Sequence, residues 1–224
     1  MKKKKLLIFI VAYNAEKTIG KVFERIPKRL SKIYSLEILI IDDCSHDRTF
    51  EVCRKIKKTK KLNFKFNFFY NPVNQGYGGN QKMGYHYAIK KKFDYVVLLH
   101  GDGQYAPEAL PSLLENLLKR KCDVVIGSRM MNKKMALKGG MPFYKFIGNI
   151  ILTKIQNFLL GTKLSEFHSG YRVYNVRSLK KIPFLLNSNS YNFDTEIIVQ
   201  FKLANFKIKE IAIPTFYGKE ISYL

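Results

Sequence analysis

The sequence predicts an α/β protein in which helices flank a mainly parallel central sheet. Over the first hundred residues, short apolar runs alternate with segments of helical periodicity, which is the pattern of βαβ units. The chain has 224 residues, enough for one domain with a single core, and 46% of them are hydrophobic. Each apolar run ends in polar or glycine-rich residues. Such ends are typical of strands whose carboxyl ends line a ligand-binding crevice.

Five strands are predicted in the first 130 residues, at 6–11, 36–41, 64–70, 95–99 and 122–126. The first one follows Met1 and four lysines and so imitates a signal peptide. It runs on without an Ala-x-Ala-like cleavage site, and we therefore interpret it as a buried strand.

Between the strands, apolar residues at spacings of three and four predict helices. The first helix carries Ile19 and Leu30 and contains Pro27, which predicts a kink or a break. The second carries Phe50, Cys53 and Ile56 after a cap at Ser45 or Asp47. A loop is predicted at 71–79, followed by a helix through Met83 and Ala88.

The second half of the chain is less regular. Apolar residues from Phe143 to Phe158 recur at helical spacing and predict an amphipathic helix, which either faces the core or lies in a membrane interface. It is too interrupted by polar residues to span a bilayer. A last strand is predicted at Ile208 to Ile213, before Pro214. The sequence before Leu224 shows no pattern that would end the fold there. We therefore expect the sequence to be truncated at that point.

The net charge of +23 predicts an anionic partner, because such an excess creates a long-range field. Nucleic acid, an anionic membrane surface and phosphorylated substrates all qualify, and a lysine-favouring genome is an alternative cause of the excess. The lysines are spread along the chain without the signature of a known nucleic-acid module, so the membrane surface ranks first. Three isolated cysteines, Cys44, Cys53 and Cys122, fit a reducing cytosol.

The strand at 95–99 leads into a group of residues that can bind a metal. His100, Asp102 and Gln104 follow at alternate positions, and in an extended segment they would project to one side. A carboxylate beside an imidazole and an amide oxygen suits Mn²⁺ or Mg²⁺, which could anchor a diphosphate. The alternative is a polar turn built on Gly101 and Gly103.

The order of the motifs resembles glycosyltransferase family 2. Four segments carry the resemblance: VAYNAE at 11–16, DDCSHDRT at 42–49, GYGGNQK at 76–82 and HGDGQ at 100–104. Three later ones are similar to the polyprenyl-phosphate branch of the family, typified by dolichol-phosphate mannosyltransferase: GSR at 127–129, SEFHSGYR at 165–172 and FDTE at 193–196.

This resemblance covers nearly the whole chain. It implies a GT-A, Rossmann-like fold, a nucleotide-sugar donor and a divalent metal, Mn²⁺ or Mg²⁺. It also implies a single domain over 1–224, with a nucleotide-sugar and metal half at 1–130 and an acceptor-side half at 131–224.

The resemblance further implies the residues of the site. Contacts to the nucleotide sugar are expected from Ala12, Tyr13, Asn14, Glu16, Asp42, Asp43, Gly76, Gly78, Lys82 and Asp102. Metal ligation is expected from Asp102, with Gln104 as a second ligand and His100 as a nitrogen ligand or a residue behind the ligands. For Asp42 and Asp43, the alternative is a turn and helix cap.

Departures from the family pattern fall at three positions. His100 stands where the family usually has the first aspartate of its Asp-x-Asp motif, so one carboxylate remains there. Cys44 and Arg48 replace glycines that are usual in the second motif, which leaves the turn geometry open.

Catalytic roles are expected for Asp102, Arg129, Glu166 and Arg172. The two arginines are candidates for phosphate recognition, since a guanidinium group binds phosphate oxygens as a bidentate fork. A phosphate acceptor is already anionic and needs no strong base. For a hydroxyl acceptor a base is required, and Glu166 is the first candidate, with Asp194 next.

The expected activity is transfer of a hexose-like sugar from a nucleoside diphosphate sugar to a polyprenyl phosphate such as dolichyl or undecaprenyl phosphate. By analogy the transfer inverts the anomeric configuration. The expected location is cytoplasmic, peripheral at the inner face of the membrane. Two alternatives stay open: transfer to a sugar hydroxyl of a glycan or to a protein, and a nucleotide-sugar-binding protein without catalysis. The sugar, the base and the oligomeric state are not predicted.

Overall fold

The computed structural model describes residues 2–214, 216 and 217. In these residues seven strands form one sheet, in the order β3-β2-β1-β4-β6-β5-β7. The strands are β1 (Lys5–Ala12), β2 (Ser35–Asp42), β3 (Lys65–Tyr70), β4 (Tyr95–His100), β5 (Val124–Ser128), β6 (Arg172–Asn175) and β7 (Ile208–Ala212). The sheet is mainly parallel, as predicted, and β6 runs antiparallel to both of its neighbours, β4 and β5.

Helices cover both faces of this sheet. They are α1 (Ile19–Arg25), α2 (Leu30–Ile33), α3 (Thr49–Thr59), α4 (Gly76–Lys90), α5 (Leu110–Lys119), α6 (Lys133–Lys138), α7 (Phe143–Leu160), α8 (Val176–Leu179) and α9 (Phe193–Leu203). Short 3₁₀ turns lie at Pro107–Ala109, Met130–Asn132 and Phe184–Leu186.

The central strand β1 shows how the core forms. Its alternate residues Leu6, Ile8 and Ile10 enter the apolar layer shared with α1, α3 and α5. The residues between them, such as Leu7 and Phe9, enter the layer shared with α4, α8 and α9. A strand buried on both faces requires an uninterrupted apolar run, which is what β1 has. The prediction of a buried strand rather than a signal peptide is therefore confirmed.

Two predicted elements differ from the structure in their bounds. α1 ends at Arg25 and α2 begins at Leu30, so Pro27 produces a break rather than a kink. The loop predicted at 71–79 is wrong in its second half, because α4 begins at Gly76. The glycines that favoured a loop serve close packing here: at Gly78, a Cβ would lie 2.5 Å from the carbonyl oxygen of Ser188.

Strand β6 was not predicted. It has four residues, and its polar ends Arg172 and Asn175 hide the alternation by which a strand is recognised. β6 lies between β4 and β5 and so separates the carboxyl ends of those two parallel strands. A wide crevice results at that edge of the sheet.

The predicted amphipathic helix is α7. Unlike an ordinary core-facing helix, it turns polar side chains inward and most of its large apolar side chains outward. Its buried residues are Phe146, Asn149 and Thr153. Large apolar side chains lie on the outside instead, among them Ile151, 52% exposed, and Phe158, 87% exposed. Among the residues that the structure describes, no helix is long and apolar enough to cross a membrane.

Candidate active site

Two adjacent cavities open at the carboxyl ends of the parallel strands. The larger has a volume of about 460 Å³ and the smaller of about 220 Å³. Tyr77 of α4 and Tyr191, just before α9, line both cavities, and their rings stack with centroids 5.2 Å apart. This aromatic pair forms the partition between the two.

The segment after β4 lies on the wall of the larger cavity. It is a turn rather than an extended segment: Gly103 has a φ of +79°, and Asp102 Oδ1 accepts a 3.0 Å hydrogen bond from the Gln104 N–H. The premise of an extended segment was therefore wrong. His100, Asp102 and Gln104 nevertheless all line the larger cavity. Burial raises the pKa of the Asp102 carboxyl.

His100 is held by a chain of hydrogen bonds. Its Nε2 lies 3.0 Å from the Tyr77 hydroxyl, which donates to Asp194 Oδ2 at 2.9 Å. Asp194 in turn lies 3.5 Å from Nη1 of Arg172. Burial, together with the positive charges of Arg129 and Arg172, lowers the pKa of His100 to about 3. The imidazole is therefore neutral at physiological pH.

Close packing fixes the ring of His100 as well. The Tyr105 ring stands perpendicular to it at 4.9 Å between centroids. At Gly170 a Cβ would overlap both the His100 ring and the Tyr77 hydroxyl, so only glycine fits there.

Arg129, directly after β5, brings a positive charge to the larger cavity. Its Nε and Nη2 donate to Glu166, its Nη2 also donates to the His168 carbonyl at 3.1 Å, and its Nη1 donates to the Tyr217 hydroxyl at 2.8 Å. Four of the five guanidinium N–H groups are thus used. One Nη1–H is left without a partner among the described residues, and Arg129 lines the cavity.

Glu166 lies behind Arg129 and is fully buried. Burial raises the pKa of its carboxyl, but the charge and hydrogen bonds of Arg129 outweigh burial, and the net pKa is lowered. The side-chain amide of Asn149, on α7, donates to Glu166 Oε1 at 2.8 Å, the oxygen that also accepts from Arg129 Nε. Glu166 does not line the cavity, and both of its carboxylate oxygens accept hydrogen bonds from Arg129.

Arg172 is also fully buried, and it does not line either cavity. Its guanidinium donates to the backbone carbonyls of Phe167, Ser169 and Asp194 at 2.7 to 2.8 Å. The sequence-based expectation that Arg172 forms a bidentate fork with a phosphate does not fit this geometry, because its donors are turned inward. It holds the motif segment 167–172 against α9.

The smaller cavity lies between the ends of β1 and β2. Ala12, Tyr13, Asp43 and Gly76 line it, as does Asn80. Asp43 is held in place by hydrogen bonds from the Asn71 amide and the Gln75 N–H, both to Oδ1. Asn80 donates to a β2 carbonyl, and its Oδ1 is buried without a partner in the described part of the chain.

Three of the expected nucleotide contacts form the frame of this cavity instead of its wall. Asn14 Oδ1 accepts from the His46 N–H, and Glu16 accepts from the Arg48 N–H, so that the loops after β1 and β2 are joined. Asp42 Oδ1 accepts from the Ser45 N–H, while its Oδ2 is buried and, among the described residues, has no partner. Burial raises the pKa of Asp42.

Gly78 and Lys82 line neither of these two cavities. The Gly78 N–H donates to the carbonyl of Asn189 at 2.8 Å. The Lys82 ammonium donates to the Asn187 carbonyl and to Asn189 Oδ1. Both residues attach α4 to the segment before α9, a segment that cannot be recognised as a neighbour from the sequence alone.

Several residues of the larger cavity were not predicted from the sequence. They are Tyr77, Tyr105, Met141, Tyr144, Lys145, Gly148, Asn149, Leu152, Tyr191 and Tyr217. Tyr77 and Tyr105 lie inside or next to recognised motifs, so their positions carried a signal. Lys145 and Leu152 lie on α7, where a helical period does not reveal which face meets the cavity.

The donors on the cavity wall fit a divalent metal. Asp102 Oδ2 and the Gln104 side chain make no hydrogen bond within the described residues, and carboxylate and amide oxygens are ligands for Mn²⁺ and Mg²⁺. A cluster of three or more acidic, histidine or cysteine side chains placed to hold a metal is absent from the described part of the chain. Side chains would thus supply only part of the coordination of any metal here, and water or oxygen atoms of a ligand would supply the rest.

Comparison with known proteins gives a consistent result. Residues 7–183 match the model of the family described as glycosyl transferase family 2. The UDP-N-acetylglucosamine–dolichyl-phosphate N-acetylglucosaminyltransferase of Methanococcus voltae is 28% identical over 97% of this chain and 88% of that protein. The undecaprenyl-phosphate mannosyltransferase of Micrococcus luteus is 25% identical over 97% of this chain and 85% of that protein.

Among solved structures, the chain is similar to glucosyl-3-phosphoglycerate synthase of Mycobacterium tuberculosis in complex with Mn²⁺, UDP and phosphoglyceric acid. The TM-score is 0.66 and the sequence identity 15%, over 98% of this chain and 72% of that one. At this identity the likeness shows the fold.

Proposed function

The chain belongs to glycosyl transferase family 2 and has the GT-A fold, and on that premise we propose that it moves a hexose-like sugar from a nucleoside diphosphate sugar to a polyprenyl phosphate. Relatives that are named polyprenyl-phosphate sugar transferases match it over nearly its whole length, which supports this acceptor class. One observation carries the proposal: an acidic and amide-lined cavity adjoins a cavity with cationic groups beside an exposed apolar helix face.

The smaller cavity is the proposed site of the nucleoside. Asp43 and Asn80 line it, and Asp43 Oδ2 makes no hydrogen bond within the described residues. A base or ribose presents the N–H and O–H donors that such an acceptor requires. Ala12 and Tyr13 form the wall next to them. The stacked rings of Tyr77 and Tyr191 mark the passage to the larger cavity, where the sugar would lie.

The diphosphate is proposed to lie over the turn after β4. Asp102 and Gln104, with His100 beside them, are the residues that would hold Mn²⁺ or Mg²⁺. Such an ion, when bound, neutralises charge that develops on the leaving nucleoside diphosphate. The Asp102–Gln104 hydrogen bond keeps the two ligands on one side of the turn.

Arg129 and Lys145 are proposed to bind the acceptor phosphate. Both line the larger cavity, and one N–H of Arg129 that has no partner among the described residues can donate to a phosphate oxygen. A phosphate oxygen then attacks the anomeric carbon while the bond to the nucleoside diphosphate breaks. A single displacement of this kind inverts the configuration. The nucleophile is already anionic, which agrees with a cavity where Glu166 is unavailable as a base.

We place the protein at the cytoplasmic surface of an anionic membrane, with α7 in the interface. The outward side chains of α7 are largely apolar, and Lys145 and Lys154 are exposed on the same helix. Lys133, Lys134 and Lys138 of α6 lie exposed close by in the chain. An apolar face flanked by lysines is the composition of helices that lie in the headgroup region.

The test is a matrix of donors and acceptors. Purified protein with Mn²⁺ is incubated with UDP- and GDP-sugars against a polyprenyl phosphate, a soluble oligosaccharide and buffer. Transfer to the lipid phosphate is expected, and its dephosphorylated polyprenol is the matched control that should not react. Transfer only to the oligosaccharide would favour a hydroxyl acceptor. Donor binding without turnover on any acceptor would favour the non-catalytic alternative.

A further inference from the structure

Asp194, Tyr77 and His100 form a chain of hydrogen bonds, and the protonation state of Asp194 determines where its protons lie. Asp194 is a carboxylate beside Arg172 and can only accept hydrogen bonds. The single hydroxyl proton of Tyr77 is therefore donated to Asp194 Oδ2. The Tyr77 oxygen must then accept from His100, so the proton of the imidazole is on Nε2.

This order leaves a lone pair on Nδ1 of His100. Within the described residues Nδ1 makes no hydrogen bond, and it is not one of the buried polar atoms that lack a partner. It therefore reaches the open cavity, whose wall His100 shares with Asp102 and Gln104. A neutral imidazole nitrogen that is fixed by a hydrogen bond on its other nitrogen has the arrangement usual for metal-ligating histidines.

We propose that Nδ1 of His100 is a metal ligand and that the site, with Asp102 and Gln104, is a mixed nitrogen–oxygen site which prefers Mn²⁺ over Mg²⁺. This inference rests on the proposed metal-dependent donor binding and names the ligand set and the preference. Mg²⁺ demands oxygen ligands, whereas imidazole suits transition metals. A histidine in place of a carboxylate also removes one negative charge, which costs Mg²⁺ more because its binding is mainly electrostatic.

Tyr77 is the positioning residue of this site. In Tyr77→Phe the ring stays and the hydroxyl is lost, so Nε2 has no acceptor and neither the tautomer nor the ring orientation is fixed. Loss of such an outer partner typically lowers metal affinity 10- to 100-fold. Tyr87→Phe is the matched control: it lies on the same helix and also loses a hydroxyl that donates to a carboxylate, that of Glu37, away from both cavities.

The experiment titrates Mn²⁺ alone into the full chain. Electron paramagnetic resonance reports the free ion, and its pulsed form detects coupling of bound Mn²⁺ to an imidazole ¹⁴N. Wild type is expected to show this coupling. His100→Asp should bind Mn²⁺ without it and should let Mg²⁺ compete at lower concentration. Tyr77→Phe should weaken Mn²⁺ binding at least tenfold, and Tyr87→Phe should not change it. Circular dichroism checks that each variant is folded.

Bound Mn²⁺ without nitrogen coupling in wild type, or no Mn²⁺ binding at all, would overturn the inference. Unchanged competition by Mg²⁺ in His100→Asp would overturn the metal preference. The proposed function fails separately, through absence of transfer in the donor and acceptor matrix, and nitrogen-coupled Mn²⁺ would still be observed in that case.

Discussion

Arg129 and Arg172 show how residues of one chemical type take different roles. Both follow the family motifs, and from the sequence both were candidates for phosphate binding. In the structure Arg129 lines the larger cavity, while all the hydrogen bonds of Arg172 run to buried groups. The difference arises from distant segments, because α9 supplies the carbonyl and the carboxylate that enclose Arg172.

Conservative substitution should separate these roles. Arg129→Lys keeps the charge but loses the planar fork, so transfer to polyprenyl phosphate should fall about tenfold, or roughly 1.4 kcal/mol, with a smaller change in donor affinity. Arg172→Lys leaves buried carbonyls without donors and should lower the free energy of unfolding by about 2 to 4 kcal/mol. Steady-state transfer, donor calorimetry and urea unfolding measure the three quantities. Equal loss of transfer and of donor affinity in Arg129→Lys would assign Arg129 to the donor.

Cys44 occupies a backbone conformation that favours glycine. Its φ is +66°, in the left-handed region, so the turn of the motif is retained although the glycine is replaced. Cys44→Gly should therefore raise the free energy of unfolding by about 0.5 to 1 kcal/mol, after the greater entropy of glycine in the unfolded chain is subtracted. Cys44→Ala is the control, since it removes the thiol and keeps the strain. A stabilised alanine variant would assign the effect to the thiol.

The lowered pKa of His100 predicts a pH dependence of stability. The folded-state pKa of about 3 lies below the unfolded value near 6.5, so the unfolded chain binds the proton first. The stability that the neutral, buried His100 contributes to the folded state is fully present above pH 6.5 and is lost as the pH falls toward 3. Between pH 6.5 and 5, wild type should lose about 2 kcal/mol more stability than His100→Gln. Replacement of the exposed His86 by Gln is the control, and its unfolding profile should follow that of wild type.

At the scale of elements, the local sequence pattern predicted those parts of the candidate site that directly follow a strand. The turn after β4 and the end of β2 were recognised because their polar residues directly follow apolar runs. β6 and the closure of α4 onto residues 188–189 were not, since both depend on contacts between residues far apart in sequence. A short strand with polar ends carries too weak an alternation to be separated from a loop.

Helix α7 illustrates a second limit of the pattern. Periodicity gave an apolar face and a polar face, and left open which one is buried. The structure turns Asn149 and Thr153 inward, where Asn149 donates to the buried Glu166. A polar side chain can face the interior when a buried group forms a hydrogen bond with it. For Asn149 that group is the Glu166 carboxylate, which lies on a different segment and could not be inferred from the helix pattern.

The outward apolar face of α7 should bind lipid without contributing to stability. In the double variant Ile151→Gln and Ile155→Gln, the fraction that sediments with anionic vesicles should fall at least fivefold, while the urea midpoint stays within the range of surface substitutions. Leu203→Gln is the control, because Leu203 is an apolar residue on α9 that is even more exposed than Ile151 and Ile155. An equal loss of binding in the control would mean that general surface hydrophobicity, and not α7, contacts the lipid.

At the scale of the whole molecule, the sheet brings the candidate site residues to one edge. β1, β2 and β4 are parallel and adjacent, so the residues that follow them meet there, as the βαβ pattern predicted. The order of the strands beyond β4 could not be predicted, because an antiparallel insertion is determined by pairing across the sheet. The same insertion sets β4 and β5 two strands apart, and residues that follow both of them, Asp102 and Arg129, line the larger cavity.

The net charge of +23 belongs to this scale too, because it acts on a partner through the field of the whole molecule. Binding to anionic vesicles should weaken strongly between 0.1 M and 1 M salt, as the screening length falls from about 10 Å to about 3 Å.

Each lysine near the membrane surface contributes about 1 kcal/mol to binding at low salt. Replacement of Lys133 and Lys134 by Gln should therefore reduce the salt dependence, whereas the double α7 variant should weaken binding at every salt concentration with an unchanged dependence. Sedimentation over a salt series measures both, with neutral vesicles as the reference. If binding were equal on neutral and anionic vesicles, the charge would have no part in membrane association. The excess of lysine would then be explained by phosphorylated substrates or by a lysine-favouring genome.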